Sequence, residues 1–432
     1  MIKKLFILFI LILATGCGST LQSQKNSKSN SESAVEGSPY DSIDVESLND
    51  DQNNNKLKVA VLLPLSGKAE KIGDTMFKAA QLSMFNNKLN NIVLMPYDTK
   101  GTSFGAVDAM NEAMRDGAEI VIGPLFTQTT KAIMDIADVN RVIVLSFSDN
   151  ETLLDPKYNN IYLMSSTPRQ EIYRIVSYLV DHKNFYGFSG MFPNDSYGNT
   201  ALKSFKEIAN RKDTKMVKTD FYSKDDKFLQ RKVAELLDTN TYKDEVYKKY
   251  EEEKALAKAS GMNAEVEFKY TDEDKIFADA LLLPDSGDEL LKIGEIVANY
   301  NQPNKPIMIG TSKWLNNSLY NNVNFDNALF SAPNPNNYTD FENMYYDKFG
   351  VFPYRISSLA YDAVTAVMES YAASGNKENI KYALENYQGF NGVNGRYRFL
   401  STGLVERKLA ILRISNGGYE IIDYDNRPFL KY

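Results

Sequence analysis

Two residue types that most enzymes depend on are almost missing from this chain. Histidine and cysteine each occur once, as His182 and Cys17. That scarcity removes most metal sites and most nucleophile–histidine chemistry, so no catalytic residue, metal or cofactor is expected. His182 falls at the end of an expected helix, where an imidazole complements the helix C-terminus. What remains is a set of hydroxyls, one aromatic and one carboxylate, all in loops that follow apolar runs. Ser66 lies in Leu65-Ser66-Gly67-Lys68, Thr127 in Gly123-Pro124-Leu125-Phe126-Thr127, and Ser146 and Ser148 in Ser146-Phe147-Ser148-Asp149-Asn150. Tyr197 lies in Asn194-Asp195-Ser196-Tyr197-Gly198 and Asp285 in Pro284-Asp285-Ser286-Gly287. Hydroxyls beside a helix start suit a carboxylate, because free N–H groups and a partial positive charge gather there. Thr127 is equally a plain N-cap candidate, and the other loops are turn-forming by composition. Gly67-Lys68 does not make a phosphate loop. Ala69 stands where Ser or Thr is needed, and the upstream glycine is missing.

These loops need a scaffold, and hydropathy supplies one. Val59 to Pro64 is a solid apolar run, as expected for a strand buried on both faces. A helix follows at 70–86. Strands at 91–97, 119–123 and 141–147 then alternate with helices at 103–116 and 128–139. A second series places helices at 169–182, 199–210, 227–238 and 287–300 and strands at 184–192, 216–222, 277–283 and 306–310. Helices near 338–349 and 357–373 and strands at 396–400, 408–414 and 418–423 close the chain. Such alternation predicts two α/β units with doubly wound, mostly parallel sheets. Ligands of such sheets bind beyond the carboxyl ends of the strands, where the loops above lie. Residues 240–270 break the rhythm with dense charge and a thin apolar stripe. They read as a largely exposed helix, either a solvated decoration or a partner-contacting arm.

The first residues carry a different message. Lys3 and Lys4 precede the nine-residue apolar run Leu5–Leu13, and Ala14-Thr15-Gly16-Cys17 follows. This pattern fits a lipoprotein signal peptide over 1–17 with acylated Cys17, and with it membrane attachment through the lipid. Residues 18–56 are polar and without period, and read as a disordered tether with a relaxed span of roughly 35 Å. Gly18 after the cysteine favours the outer over the inner membrane, on the periplasmic face of the envelope. The net charge of −7 and the lack of any basic block argue against a nucleic-acid partner.

Several of these segments, in order, resemble a known family. Val61-Leu62-Leu63-Pro64-Leu65-Ser66-Gly67, Ile122-Gly123-Pro124-Leu125-Phe126 and Pro193-Asn194-Asp195-Ser196-Tyr197-Gly198 resemble the leucine-binding-protein-like, type I periplasmic-binding fold. Ala280–Gly287, Gly310-Thr311-Ser312-Lys313-Trp314, Ser357–Val364 and Gly389–Phe399 resemble its lipoprotein branch, the penicillin-binding protein activators. The resemblance implies a domain over 57–432 with two lobes joined by crossovers. Lobe one would be 57–167 plus 334–390, and lobe two 168–333 plus 391–432. It further implies a non-catalytic lipoprotein whose partner is a peptidoglycan synthase (a penicillin-binding protein), the favoured reading. The alternative is a solute-binding lipoprotein for branched-chain-type amino-acid transport. In that alternative Ser146 and Thr127 hold a ligand carboxylate, Tyr197 forms an aromatic wall and Asp285 pairs with the ammonium. Asp149 stands where amino-acid receptors carry a small neutral residue. A carboxylate there repels a ligand carboxylate unless it points away, which weakens the alternative.

Overall fold

The computed structural model describes residues 56–431 apart from 88, 238–239, 261–277, 301–304, 316, 416 and 425–426. The expected signal peptide, Cys17, nearly all of the tether and the last part of the charged 240–270 segment lie outside the described residues.

The first lobe is built on five parallel strands in the order β2-β1-β3-β4-β5. They span Leu57–Leu63, Ile92–Asp98, Ile120–Ile122, Ile143–Ser146 and Ile161–Leu163 for β1 to β5. The strand period of two is visible in how β1 is used. Leu57, Val59, Val61 and Leu63 enter one core, while Ala60 and Leu62 enter the core on the opposite face. The first core is covered by helix α1 (Glu70–Asn86) and by two helices that arrive late in the chain, α10 (Tyr338–Phe349) and α11 (Ser357–Ser374). The second is covered by α2 (Ser103–Arg115) and α3 (Thr127–Asn140).

The second lobe has a seven-stranded sheet ordered β15-β14-β10-β9-β8-β6-β7. Strands β6 (Gly187–Pro193), β7 (Lys215–Tyr222), β8 (Ala280–Leu282), β9 (Ile307–Gly310) and β10 (Leu329–Pro333) run parallel. Strands β14 (Leu409–Ser415) and β15 (Gly418–Tyr424) add an antiparallel edge. Helices α4 (Pro168–Lys183) and α5 (Ser196–Arg211) cover one face. Helices α6 (Leu229–Leu237) and α8 (Asp288–Asn299) cover the other. The start of α4 is fixed by a reciprocal cap. Thr167 N–H donates to Gln170 Oε1 at 2.9 Å and Gln170 N–H to Thr167 Oγ1 at 3.4 Å, with Pro168 just inside the helix. The charged segment forms helix α7 (Asn240–Ala259), on which Glu251 to Leu256 are all exposed.

One boundary differs from the expectation. The expectation places residues 391–432 in the second lobe, but a small antiparallel sheet of β11 (Phe390–Gly392), β12 (Gly395–Phe399) and β13 (Val405–Arg407) packs with the first. Val393, Tyr397, Phe399 and Val405 are buried in the same core as β1 and α11. The chain therefore crosses between sheets after β5, after β10 and after β13. Arg407 ties these crossings together. It donates to Met164 O at 3.1 Å, just past β5, and approaches Asp362 of α11 at 3.9 Å. Its guanidinium also lies 4.6 Å from the centre of the Tyr397 ring. Asp362 is buried, and burial pushes its carboxyl up to about 6 despite the cation beside it.

Candidate ligand-binding cleft

On the first lobe, the loops after β1, β3 and β4 bring together the expected hydroxyls, but not for equal use. Asp98 closes β2 and organises the β1 loop. Its Oδ1 accepts from Leu65 N at 2.8 Å and Ser66 N at 3.2 Å, and its Oδ2 accepts from Ser66 Oγ at 2.6 Å. Ser66 thus has its hydroxyl held against its own lobe. The β3 loop passes so close to β1 that a Cβ on Gly123 would lie 2.2 Å from Leu62 O, and φ there is +102°. Only glycine accepts both conditions. Thr127 is the first residue of α3 and not its N-cap. Phe126 takes the cap position, and its N–H donates to Thr129 Oγ1 at 3.2 Å. The threonine that satisfies the helix start is therefore two residues further on. Thr127 Oγ1 is left to pair with Ser148 Oγ at 2.8 Å. Ser146 is fully buried. Its Oγ sits 2.7 Å from Thr130 Oγ1 and accepts from Ser148 N at 3.2 Å, so it braces the loop from behind.

On the second lobe, the loops after β6, β8 and β9 supply a different chemistry. Asp195 caps α5, with Oδ1 accepting from Gly198 N at 2.8 Å, and a Cβ on Gly198 would lie 1.8 Å from Pro193 O. That contact sets the turn that carries Tyr197. The Tyr197 hydroxyl is 3.3 Å from Thr311 Oγ1, and Lys313 Nζ stands 4.1 Å from the centre of its ring. Asp285 accepts a short hydrogen bond from the Tyr222 hydroxyl, at the end of β7.

The two rims share one electrostatic field. Burial raises the Asp149 carboxyl of the first lobe, and the Lys313 ammonium of the second pulls it back down. Burial pushes the Tyr197 hydroxyl far up, with the negative charges of Glu171, Asp149 and Asp285 adding to it. Glu171, in the first turn of α4, is the residue that sequence reasoning missed. It is 3% exposed and accepts from Ser166 Oγ and, at 2.9 Å, from Ser312 N. Burial still wins over these bonds and pushes its carboxyl up to about 7. Four residues beyond a helix cap, a glutamate ordinarily reads as a dipole partner. Only the packing of the β9 loop against α4 reveals its burial. Thr311, Ser312 and Lys313 belong to a motif of the sequence that carries no expected site role. Among the described residues no cluster of three or more His, Cys, Asp or Glu side chains is arranged to hold a metal.

Residues 56–228 match a family model described as periplasmic binding protein. The match covers the first lobe and the start of the second, and it fits the two-lobed parallel sheets. The chain has a type I periplasmic-binding fold. The solved structures agree. A putative branched-chain amino acid ABC transporter protein from Rhodospirillum rubrum superposes with a TM-score of 0.69 at 15% identity, covering 85% of this chain and 100% of that one. The branched-chain amino acid transporter substrate-binding protein from Streptococcus pneumoniae, in complex with isoleucine, gives 0.58 at 17% identity, with 86% and 99% covered. A solute-binding protein of an ABC transporter from Rhodopseudomonas palustris, in complex with 3,4-dihydroxybenzoic acid, gives 0.60 at 15% identity, with 88% and 97% covered. An uncharacterised protein of Rickettsia prowazekii is 20% identical over 371 residues, 86% of this chain and 90% of its own. These likenesses show a shared fold.

Proposed function

We propose that the protein is a non-catalytic solute receptor of the cell envelope that closes its two lobes on a small amino-acid-like ligand. The observation that carries this reading is the unlike chemistry of the facing rims. Thr127 and Ser148 place two hydroxyls beside the N-terminus of α3, suited to a carboxylate. The second lobe would supply the Tyr197 ring and the Asp285 carboxylate, suited to an ammonium. Ser66 and Ser146 support the first rim from within. Closure would rotate the lobes about the three crossings around Arg407. Acylated Cys17 would hold the receptor at the periplasmic face of its membrane, and the polar tether would let it reach a transporter.

Titration calorimetry on the full chain, with the common amino acids and small carboxylic acids, tests the reading. Saturable one-to-one binding that Tyr197→Ala weakens at least tenfold supports it. Heats that never exceed dilution at millimolar ligand contradict it.

A second reading, stimulation of a peptidoglycan synthase, draws on one observation. Asp149 brings a desolvated carboxylate to the loop that would hold a ligand carboxylate, which favours a cleft that has lost its solute. Under this reading calorimetry stays flat and the exposed Glu251–Leu256 stretch of α7 becomes the candidate contact.

A further inference from the structure

The last strand of the second lobe is anchored where it ends. Tyr424 of β15 pairs with Ala410 of β14, and Asp423 makes an ion pair with Arg174 of α4. Arg174 Nε also donates to Leu409 O at 3.0 Å. The chain then leaves this lobe once more. Phe429, six residues past Asp423, is 5% exposed. The Arg398 guanidinium of β12 lies 4.8 Å from the centre of its ring, and the Lys408 ammonium, one residue past β13, lies 4.9 Å from it. Strands β12 and β13 pack with the first lobe through Tyr397, Phe399 and Val405.

Arg398 is the centre of this attachment. It is 3% exposed, and its Nη1 donates to Leu430 O at 2.8 Å and to Tyr387 O, just before β11, at 3.4 Å. Glu406 of β13 orients the same guanidinium, accepting from Nε at 2.7 Å. The Leu430 side chain is 77% exposed, so the tail is held through the Phe429 ring and the Leu430 carbonyl, not through a broad apolar face. A ring against two cations and a charge-assisted hydrogen bond are firm but reversible contacts. The tail thus joins the lobes a fourth time, beside the three covalent crossings, with one end that can let go. Fully stretched, the six residues from Asp423 to Phe429 reach about 20 Å. Any rotation that carries their two anchors further apart must pull Phe429 out of its place.

We infer that the C-terminal tail is a releasable strap: by docking Phe429 and Leu430 O on Arg398 it narrows the range of orientations that the two lobes adopt. The restraint needs no ligand and stands apart from the solute-receptor reading. On that reading it has a consequence, because fewer orientations are lost when the rims grip a solute.

The test places spin labels at Ser103→Cys and Lys224→Cys in a Cys17→Ser background, without ligand. Both positions are exposed, Ser103 just after β2 and Lys224 just after β7. In their sheets β2 and β7 are the edges farthest from β5, β10 and β14, where the chain crosses, so the label separation reads the mouth of the cleft. Pulsed dipolar spectroscopy compares the otherwise full chain with Phe429→Ala, with a chain ending at Tyr424, and with Leu430→Ala, whose exposed side chain takes no part in the strap. The expected result is a broader distance distribution in Phe429→Ala and in the shortened chain, with the parent's width in Leu430→Ala. The parent's width in Phe429→Ala and in the shortened chain overturns the inference, even where their Tm falls, since the tail would then only cover the small sheet. If circular dichroism shows that the shortened chain does not fold, Phe429→Ala decides alone.

Discussion

Replacing Glu171 with glutamine should stabilise the protein at alkaline pH and leave it nearly unchanged at acid pH. The carboxyl is 3% exposed and sits at about 7 in the folded chain, against 4.5 for a free glutamate. A group whose value is raised on folding contributes stability below its unfolded value, and that stability is lost as the pH climbs through the folded value. The window here runs from about 4.5 to about 7. The displacement is worth about 3 kcal/mol at 1.36 kcal/mol per pH unit. Glutamine can still accept from Ser312 N–H and donate to Ser166 Oγ, so the hydrogen bonds survive while the buried charge disappears. With roughly 380 folded residues the unfolding entropy is on the order of 0.8 kcal/mol per kelvin, and the gain at pH 8 becomes a rise of about 4 °C in Tm. Differential scanning calorimetry of both proteins at pH 5 and pH 8 reads this directly, since other titrating groups cancel in the difference. A Glu171→Gln variant that melts lower than the parent at pH 8 would show the carboxylate charge to be stabilising, and would refute the reasoning.

Other consequences can be measured alongside. Arg407→Ala leaves the Asp362 carboxylate buried without its cation, and the urea midpoint should fall by the equivalent of about 3–5 kcal/mol. Trp314→Ala empties a fully buried site between Phe325 and Phe330, for a loss of about 3–5 kcal/mol in the same assay. Thr127→Ala removes one member of the hydroxyl pair on the first rim, so calorimetry should show ligand affinity falling about tenfold with Tm within a degree or two of the parent, a change of about 1 kcal/mol. Gly198→Ala drives a methyl group into Pro193 O and displaces Tyr197, so it should lower both Tm and affinity.

Much of the scaffold could be read from the chain, because strand and helix periods are local. The run at Val59–Leu63 announces a doubly buried strand, and the two cores divide its residues by strict alternation. Thr167-Pro168 with Gln170 announces the start of α4. What could not be read depends on contacts distant in sequence. Strand β10 contains a fully buried Ser331 and ends on Pro333, neither of which advertises a central strand. The sequence does not show which lobe receives Tyr397 and Phe399, because their side chains would suit either core. In the site, the sequence does not show how the hydroxyls of these loops divide their bonds. The Ser146 and Ser66 hydroxyls face inward for reasons set by Thr130 and Asp98. Glu171 and Lys313 acquire meaning only once the β9 loop is folded against α4 and Tyr197.

The most direct test of the central claim, that a small ligand is gripped between the two lobes, is hydrogen exchange of the full chain with and without saturating ligand from the calorimetric panel. The account predicts that amides of the first rim (Thr127 to Thr130 and Ser148 to Asn150) and of the second (Tyr197 to Asn199 and Thr311 to Lys313) gain protection together. Protection confined to one lobe, or none in either rim, would contradict it.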